Sequence, residues 1–155
     1  ENLDKVCFLL INDYKEKIGV GPLNDGYLVG LKHHKLGFKI LYLYNFGREE
    51  FTSYLSFFIQ KTSEALTVFY SGRDDSREGI IFNDGSLSKS VVNDVISENS
   101  DGITPVIFIS DCFGDGSVFD INGCSNMMSI STKKNESDGS ILKKLMEYSH
   151  IIYAK

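Results

Sequence analysis

The side chains of this chain best suited to covalent or acid–base chemistry are three thiols, Cys7, Cys112 and Cys124, and three imidazoles, His33, His34 and His150. A thiol works as a nucleophile only when a neighbouring base or positive charge favours the thiolate. The question is therefore which imidazole the fold can carry to which sulfur. The cysteines are too few and too scattered for a disulfide framework or a zinc site, and they suit reduced thiols in a cytosolic-type compartment. Cys7 sits inside an apolar run and is expected in the core. Cys112 closely follows the run VIFI, and Cys124 falls in an expected loop as a surface thiol. A second chemical possibility is acidic. Asp74, Asp75, Glu78, Asp111 and Asp115 are expected near one sheet edge, and carboxylate oxygens are what calcium takes, although no EF-hand spacing is present. Gly114-Asp115-Gly116 lacks both dinucleotide and Walker spacing.

The elements that must position these residues alternate along the chain. Residues 6–11 (VCFLLI) form a continuous apolar run, as in a strand covered on both faces. Residues 24–34 carry Tyr27, Leu28 and Leu31 at helical spacing and are stopped by Gly37. Residues 38–44 (FKILYLY) read as a second strand. Residues 48–61 read as a helix with Phe51, Leu55, Phe58 and Ile59 on one face. Residues 66–70 (LTVFY) make a third strand that runs into a polar loop, 71–78. A hairpin of 79–82 and 86–87 turns at Asn83-Asp84-Gly85. A helix at 88–97 is expected to point Val91, Val92, Val95 and Ile96 inward. Residues 106–109 (VIFI) form a fourth strand, 127–132 a fifth, 139–148 a last helix, and 151–154 the start of one more strand. Such alternation implies an α/β fold, a mainly parallel sheet with helices on both faces. Sites in such sheets lie beyond the carboxyl ends of the strands. That singles out residues 71–78 and 111–116.

Composition bounds the rest. The chain has 155 residues, 42% hydrophobic and 24% charged, which fits one ordinary globular domain. Its net charge of −5 gives no general attraction to nucleic acid. No apolar run approaches the roughly 20 residues of a membrane span. No secretory signal is visible, and a start at Glu1 rather than Met is expected of a processed product or an excised domain.

Four features together resemble the caspase, paracaspase and metacaspase superfamily of cysteine proteases. Pro22-Leu23-Asn24-Asp25, opening a helix that ends in Leu36-Gly37-Phe38, looks like the first strand–helix unit of that family. Gly47-Arg48-Glu49-Glu50-Phe51 resembles the start of its second helix. Tyr70-Ser71-Gly72, then Gly79-Ile80-Ile81-Phe82, looks like the loop and hairpin that carry the catalytic histidine. Residues 106–112 followed by Phe113-Gly114 resemble the strand that delivers the nucleophile. Ser131-Thr132 and Asp138-Gly139-Ser140 look like pieces of the small-subunit half. The resemblance implies a caspase-like three-layer α/β/α sandwich in one domain, residues 1–155. Residues 1–121 would be a large-subunit-like part, and 125–155 a small-subunit-like part, whole or truncated.

The family pattern is Tyr-Ser-Gly-His-Gly, or Ser-His-Gly in caspases. Here the histidine slot falls on Arg73 or, with a slip of one, on Gly72, and neither does general acid–base work. His33 and His34 end the first expected helix. Eleven helical residues span about 16 Å, which puts them far from Cys112, and the two are expected as solvated or capping residues, as is His150. The nucleophile has its own ambiguity. Alignment on the strand puts Cys112 there with Ser110 at the pocket position. Alignment on Gly116-Ser117-Val118-Phe119-Asp120 puts Asp111 in the pocket and Phe113 at the nucleophile. The strand alignment is preferred because buried apolar positions resist slipping. The basic pocket that caspases use for aspartate would fall near Gly19-Val20 and Lys133-Lys134, and a metacaspase-type acidic pair near Lys134-Asn135. Neither specificity is supported.

The resulting expectation is a caspase-like pseudoprotease without a catalytic histidine, a cytoplasmic regulatory or protein-binding module that pairs with an active homologue. No cofactor is required, calcium being the one candidate. No nucleic acid or membrane partner is expected, and a dimer through the edge strand of the small half is one assembly the resemblance offers. The alternatives are an active cysteine endopeptidase using Cys112 with an unexpected base, and an unrelated doubly wound binding domain if the 79–87 hairpin were absent. Cys112 itself is read three ways: inert core residue, vestigial thiol, or working nucleophile.

Overall fold

The structure is a computed structural model that describes residues 3–12, 21–113, 118, 119, 121 and 124–133. The strands are β1 (Leu3–Ile11), β2 (Lys39–Tyr44), β3 (Thr62–Asp75), β4 (Gly79–Phe82), β5 (Gly85–Leu87), β6 (Val106–Phe113) and β7 (Met127–Lys133). The helices are α1 (Gly21–Lys35), α2 (Arg48–Lys61) and α3 (Lys89–Asn99). Five strands run parallel in the order β2-β1-β3-β6-β7, and β4 and β5 form an antiparallel hairpin joined to the end of β3.

Period-two alternation splits the apolar strand residues between two faces. Val6, Phe8 and Leu10 of β1, Leu66, Val68 and Tyr70 of β3, and Val106, Phe108 and Cys112 of β6 join one core with Phe51, Leu55, Phe58 and Ile59 of α2 and Val92 and Ile96 of α3. Cys7, Leu9 and Ile11, Phe69, and Ile109 form the other, against Val29 of α1 and Phe38. The first core is rich in rings. Phe51 lies 6.1 Å from Phe46 and 5.3 Å from Phe82 between centroids, and Phe108 lies 4.7 Å from Phe119, which are favourable aromatic separations.

Helix ends follow local chemistry. Gly47 at the start of α2 has no side chain to cap the helix. Asp84, from the turn of the β4–β5 hairpin, accepts the Arg48 N–H instead at 3.2 Å, and Glu50 accepts the Gly47 N–H at 3.1 Å. Ser88 caps α3 by accepting the Val91 N–H at 3.4 Å. The end of α1 is a Schellman turn: Phe38 N–H bonds the His33 carbonyl at 3.1 Å and Gly37 N–H bonds the His34 carbonyl at 3.0 Å. Gly37 takes φ +82°, the left-handed conformation such a turn requires of this position.

Three expectations need correction. Residues 71–75 are not loop. β3 runs on through them because β6 pairs with it as far as Arg73↔Phe113 and β4 takes over from Arg73↔Ile81. The fourth strand likewise continues past residue 109 to Phe113, since β7 pairs with it as far as Cys112↔Lys133. On α3 Val92 and Ile96 are fully buried and Val95 packs partly buried against the same core, whereas Val91, expected inward, is exposed. The hairpin expected at 79–87 is present. The expected helix 139–148 and strand 151–154 lie outside the described residues.

Candidate functional site

The carboxyl ends of β3 and β6 bring the sequence-derived candidates into register. Ser110 stands opposite Tyr70, Asp111 opposite Ser71, Cys112 opposite Gly72, and Phe113 opposite Arg73. Each step of one residue along a strand changes the face of the sheet. Ser110 and Cys112 therefore share the α2/α3 face. Asp111 and Ser71 lie on the α1 face, where alternation also puts Arg73. The two alignments weighed for the nucleophile are the two faces of one strand.

Cys112 is fully buried within the α2/α3 core, alongside Phe108, Tyr70, Val118 and Phe119. Its opposite number on β3 is Gly72, which has no side chain to offer. Arg73 is half-buried, and its carbonyl accepts the Tyr70 hydroxyl at 3.2 Å. Arg73 stands one step further along β3 than the residue opposite the thiol. Ser110 and Asp111 are both buried, at 0% and 4% exposure. Neither is a solvent-facing pocket wall.

His33 overturns the expectation of a solvated or capping imidazole. It is fully buried. The Schellman turn sets it beside Phe38, whose ring meets it edge-on at 5.0 Å between centroids. Nδ1 lies 2.8 Å from the Val29 carbonyl, which can only accept, so Nδ1 carries the proton. Nε2 then accepts the Thr67 hydroxyl at 3.1 Å. Burial holds its pKa below the ordinary 6.5; the Val29 carbonyl opposes that shift and Lys32 adds to it. Thr67 stands opposite Ile107, five residues before Cys112 on β6. At about 3.3 Å per residue that is roughly 16 Å along the strand, and the ring is on the other face. His34, also on α1, is exposed. His150 lies outside the described residues.

Cys7, opposite Thr67 on β1, is fully buried, and desolvation drives its thiol far above the ordinary range. Cys124 is partly exposed in the turn before β7, its N–H bonded to the Ile121 carbonyl at 3.1 Å. Among the described residues the carboxylates do not gather as one ligand set. Asp75 closes the turn into β4 by accepting the N–H groups of Arg77 at 2.8 Å and Glu78 at 3.1 Å, and these bonds hold its pKa below the ordinary carboxylate value. Asp74 is three residues past Ser71 on β3, so alternation puts it on the opposite face from Asp111. Among the described residues no three His, Cys, Asp or Glu side chains stand together as a metal would need. Asp115, Lys134 and Asn135 lie outside them.

Two positions escaped the sequence. Asn12, fully buried at the end of β1, accepts the Phe46 N–H at 3.1 Å and so ties β1 to the entry of α2; nothing in the pattern marked it. His33 carried a signal: it stands four residues after Val29 and directly precedes the helix stop. No helix among the described residues is long and apolar enough to cross a membrane. In comparisons with known proteins, no family model and no curated protein matches the chain.

Proposed function

We propose that this chain is a catalytically silent caspase-like domain that works by binding protein. The observation that carries the proposal is the pairing at the ends of β3 and β6. The thiol stands opposite Gly72 and Arg73 stands opposite Phe113, and no histidine occurs in β3, β4 or β6, the strands that meet there. The buried state of Cys112 supports the same reading and makes the sulfur a packing residue of the core. The parallel sheet with helices on both faces and a hairpin leaving β3 fits the caspase-like three-layer sandwich that the sequence resembles. The module is regulatory, its partner an active homologue met through the edge of the small half. Its reduced thiols suit the cytoplasm.

The test is turnover. The purified chain is incubated with peptides carrying Arg, Lys or Asp before the scissile bond, with and without calcium. No cleavage is expected. Cleavage that disappears in Cys112→Ala overturns the proposal and establishes an endopeptidase whose base comes from a segment outside the described residues.

A further inference from the structure

We propose that two copies of this chain meet edge to edge along β2, antiparallel about a two-fold axis at Tyr42; this goes beyond the protein-binding reading and does not rest on it. Among the described residues β2 pairs only with β1, in unbroken register. It has none of the devices that guard an edge strand: no proline, no bulge, and one charged residue, Lys39, at its start. Most of the exposed large hydrophobic side chains among the described residues ring this edge. Tyr42 and Tyr44 stack on the strand itself, 6.2 Å between centroids. On one side stand Leu23, Tyr27 and Leu31 of α1, which line a groove of about 440 Å³ over Ile40 and Tyr42. A Cβ at Gly26 would collide with Ile11 Cδ1, so glycine there lets α1 press onto β1 and leaves the groove beside it. On the other side, Ser56 and Gln60 turn one flank of α2 toward Asn99 of α3. Tyr54 lies on the opposite flank, 6.2 Å from Phe8 of β1 between centroids, and helical spacing puts Phe57 on that flank too.

Area and symmetry select the occupant. Tyr27 is 67% exposed, Tyr42 51%, and Leu23, Leu31, Tyr44, Tyr54 and Phe57 between 37% and 46%. At roughly 200 Å² per ring side chain, together they uncover on the order of 600 Å². That is the upper range for patches on monomers, and most of the roughly 800 Å² that each partner brings to a stable interface. A peptide strand laid on β2 would leave the flanks at Tyr27 and Tyr54 uncovered. A second copy brings its own α1 and α2 beside its own β2 and covers both. Directly opposed residues of antiparallel strands share a face, so the axis must fall on a residue. The run 40–44 (ILYLY) is uncharged, and its midpoint is Tyr42. That axis sets Tyr42 against Tyr42, Leu41 against Leu43, and Tyr44 against Ile40, over the groove. The reversal also brings Glu50, in the first turn of α2, toward Lys39 and Lys61 of the other copy on the α2 face.

The test is the state of association. In sedimentation velocity at about 100 µM, where a micromolar interface is nearly saturated, the purified chain should be a dimer that dissociates on dilution. Tyr42→Lys sets two charges on the axis and should weaken the dimer at least about 100-fold, with unchanged circular dichroism. Tyr27→Ala with Tyr54→Ala should weaken it at least about tenfold, and Tyr27→Ala alone serves if the double variant does not fold. In a Cys124→Ser background, Tyr42→Cys should cross-link two copies on oxidation, because residues on the axis stand within disulfide range, whereas Tyr44→Cys should not. A monomer at that concentration, or a dimer indifferent to Tyr42→Lys or to the loss of Tyr27, overturns the proposal; an indifferent dimer would give the assembly to another surface, such as the edge at β7. A dimer in which Tyr42→Cys fails to cross-link, or Tyr44→Cys does so as readily, overturns the axis. Peptide turnover is a separate readout, so an active protease and a chain that does not pair through β2 are distinguishable failures.

Discussion

The two faces of the sheet are built differently. The α2/α3 face is one deep core with most of the buried aromatic side chains among the described residues and the thiol Cys112. The α1 face has a smaller core, carries the buried polar residues His33, Thr67, Ser71 and Asp111, and leaves an open apolar groove at β2. A deep core is a poor place for chemistry, since it excludes substrate and water together. The thinner face is the more open one. The sulfur of Cys112 belongs to the packed face, and Arg73 and Asp111 of the same two strands belong to the other.

The largest effect that could break this comparison is thiol protection. With a thiol reagent at pH 8, Cys124 of the native chain should react promptly. Cys7 and Cys112, both without exposure, should react at least about 10³-fold more slowly, because a stability of 5 kcal/mol or more limits opening to that degree. Mass spectrometry of the labelled peptides reads each site. Prompt labelling of Cys112 would mean that the α2/α3 face opens at the ends of β3 and β6, and would return the thiol to the list of reactive groups.

Adjacent leucines on β1 sharpen the contrast. Leu10 enters the α2/α3 core and Leu9 enters the α1 face at the groove. Leu10→Ala leaves a closed cavity and should cost about 4–5 kcal/mol, whereas the space left by Leu9→Ala merges with the groove and should cost about 2–3 kcal/mol. Urea unfolding of the two variants measures both. Equal costs would mean that the α1 face is as tightly packed as the other.

How far this arrangement was legible depends on what holds each segment. The runs at 6–11, 38–44 and 106–109 and the face of 48–61 announce themselves because burial imposes their pattern. Residues 71–75 and 110–113 do not. They are polar, and they are extended only because neighbouring strands supply backbone partners, which single-sequence periodicity does not record. The face on which Cys112, Ser110, Asp111 and Arg73 each lie follows from register, and register is a property of pairs of strands. That residues 71–78 carry no imidazole was legible, since residue types alone supply it. The burial of His33 was legible in part, from its spacing to Val29 and its place before Leu36-Gly37.

Acid should act on the α1 face first. The pKa of folded His33 is depressed below 6.5, so above that value its neutral form contributes fully. As pH falls below 6.5 the unfolded chain takes up the proton before the folded one, and stability drops across that window until the folded ring is itself protonated. His33→Gln, which can still meet Thr67, should remove this part of the acid dependence and lower stability at pH 7.5 by about 1–2 kcal/mol, the scale of a disturbed buried hydrogen bond. Denaturation midpoints of the two proteins between pH 5 and 7.5 give the difference. Parallel curves would place the acid sensitivity elsewhere.

The smallest effect tests how the packed face holds its hairpin. Asp84 meets the start of α2 in two ways, as acceptor of the Arg48 N–H and in an ion pair with Arg48 Nε at 3.6 Å. Both side chains are about half exposed, so solvent screens the ion pair and little of its Coulomb energy survives. The cap is the larger part. Asp84→Ala should destabilise by about 1 kcal/mol. Asp84→Asn keeps an equally good capping oxygen and removes only the charge, and should lie within about 0.5 kcal/mol of the parent. A full loss in Asp84→Asn would show that the ion pair, not the cap, secures the hairpin to α2. The hairpin's hold on α2 would then weaken with salt, and the packed face would be secured at that corner by charge rather than by a backbone cap.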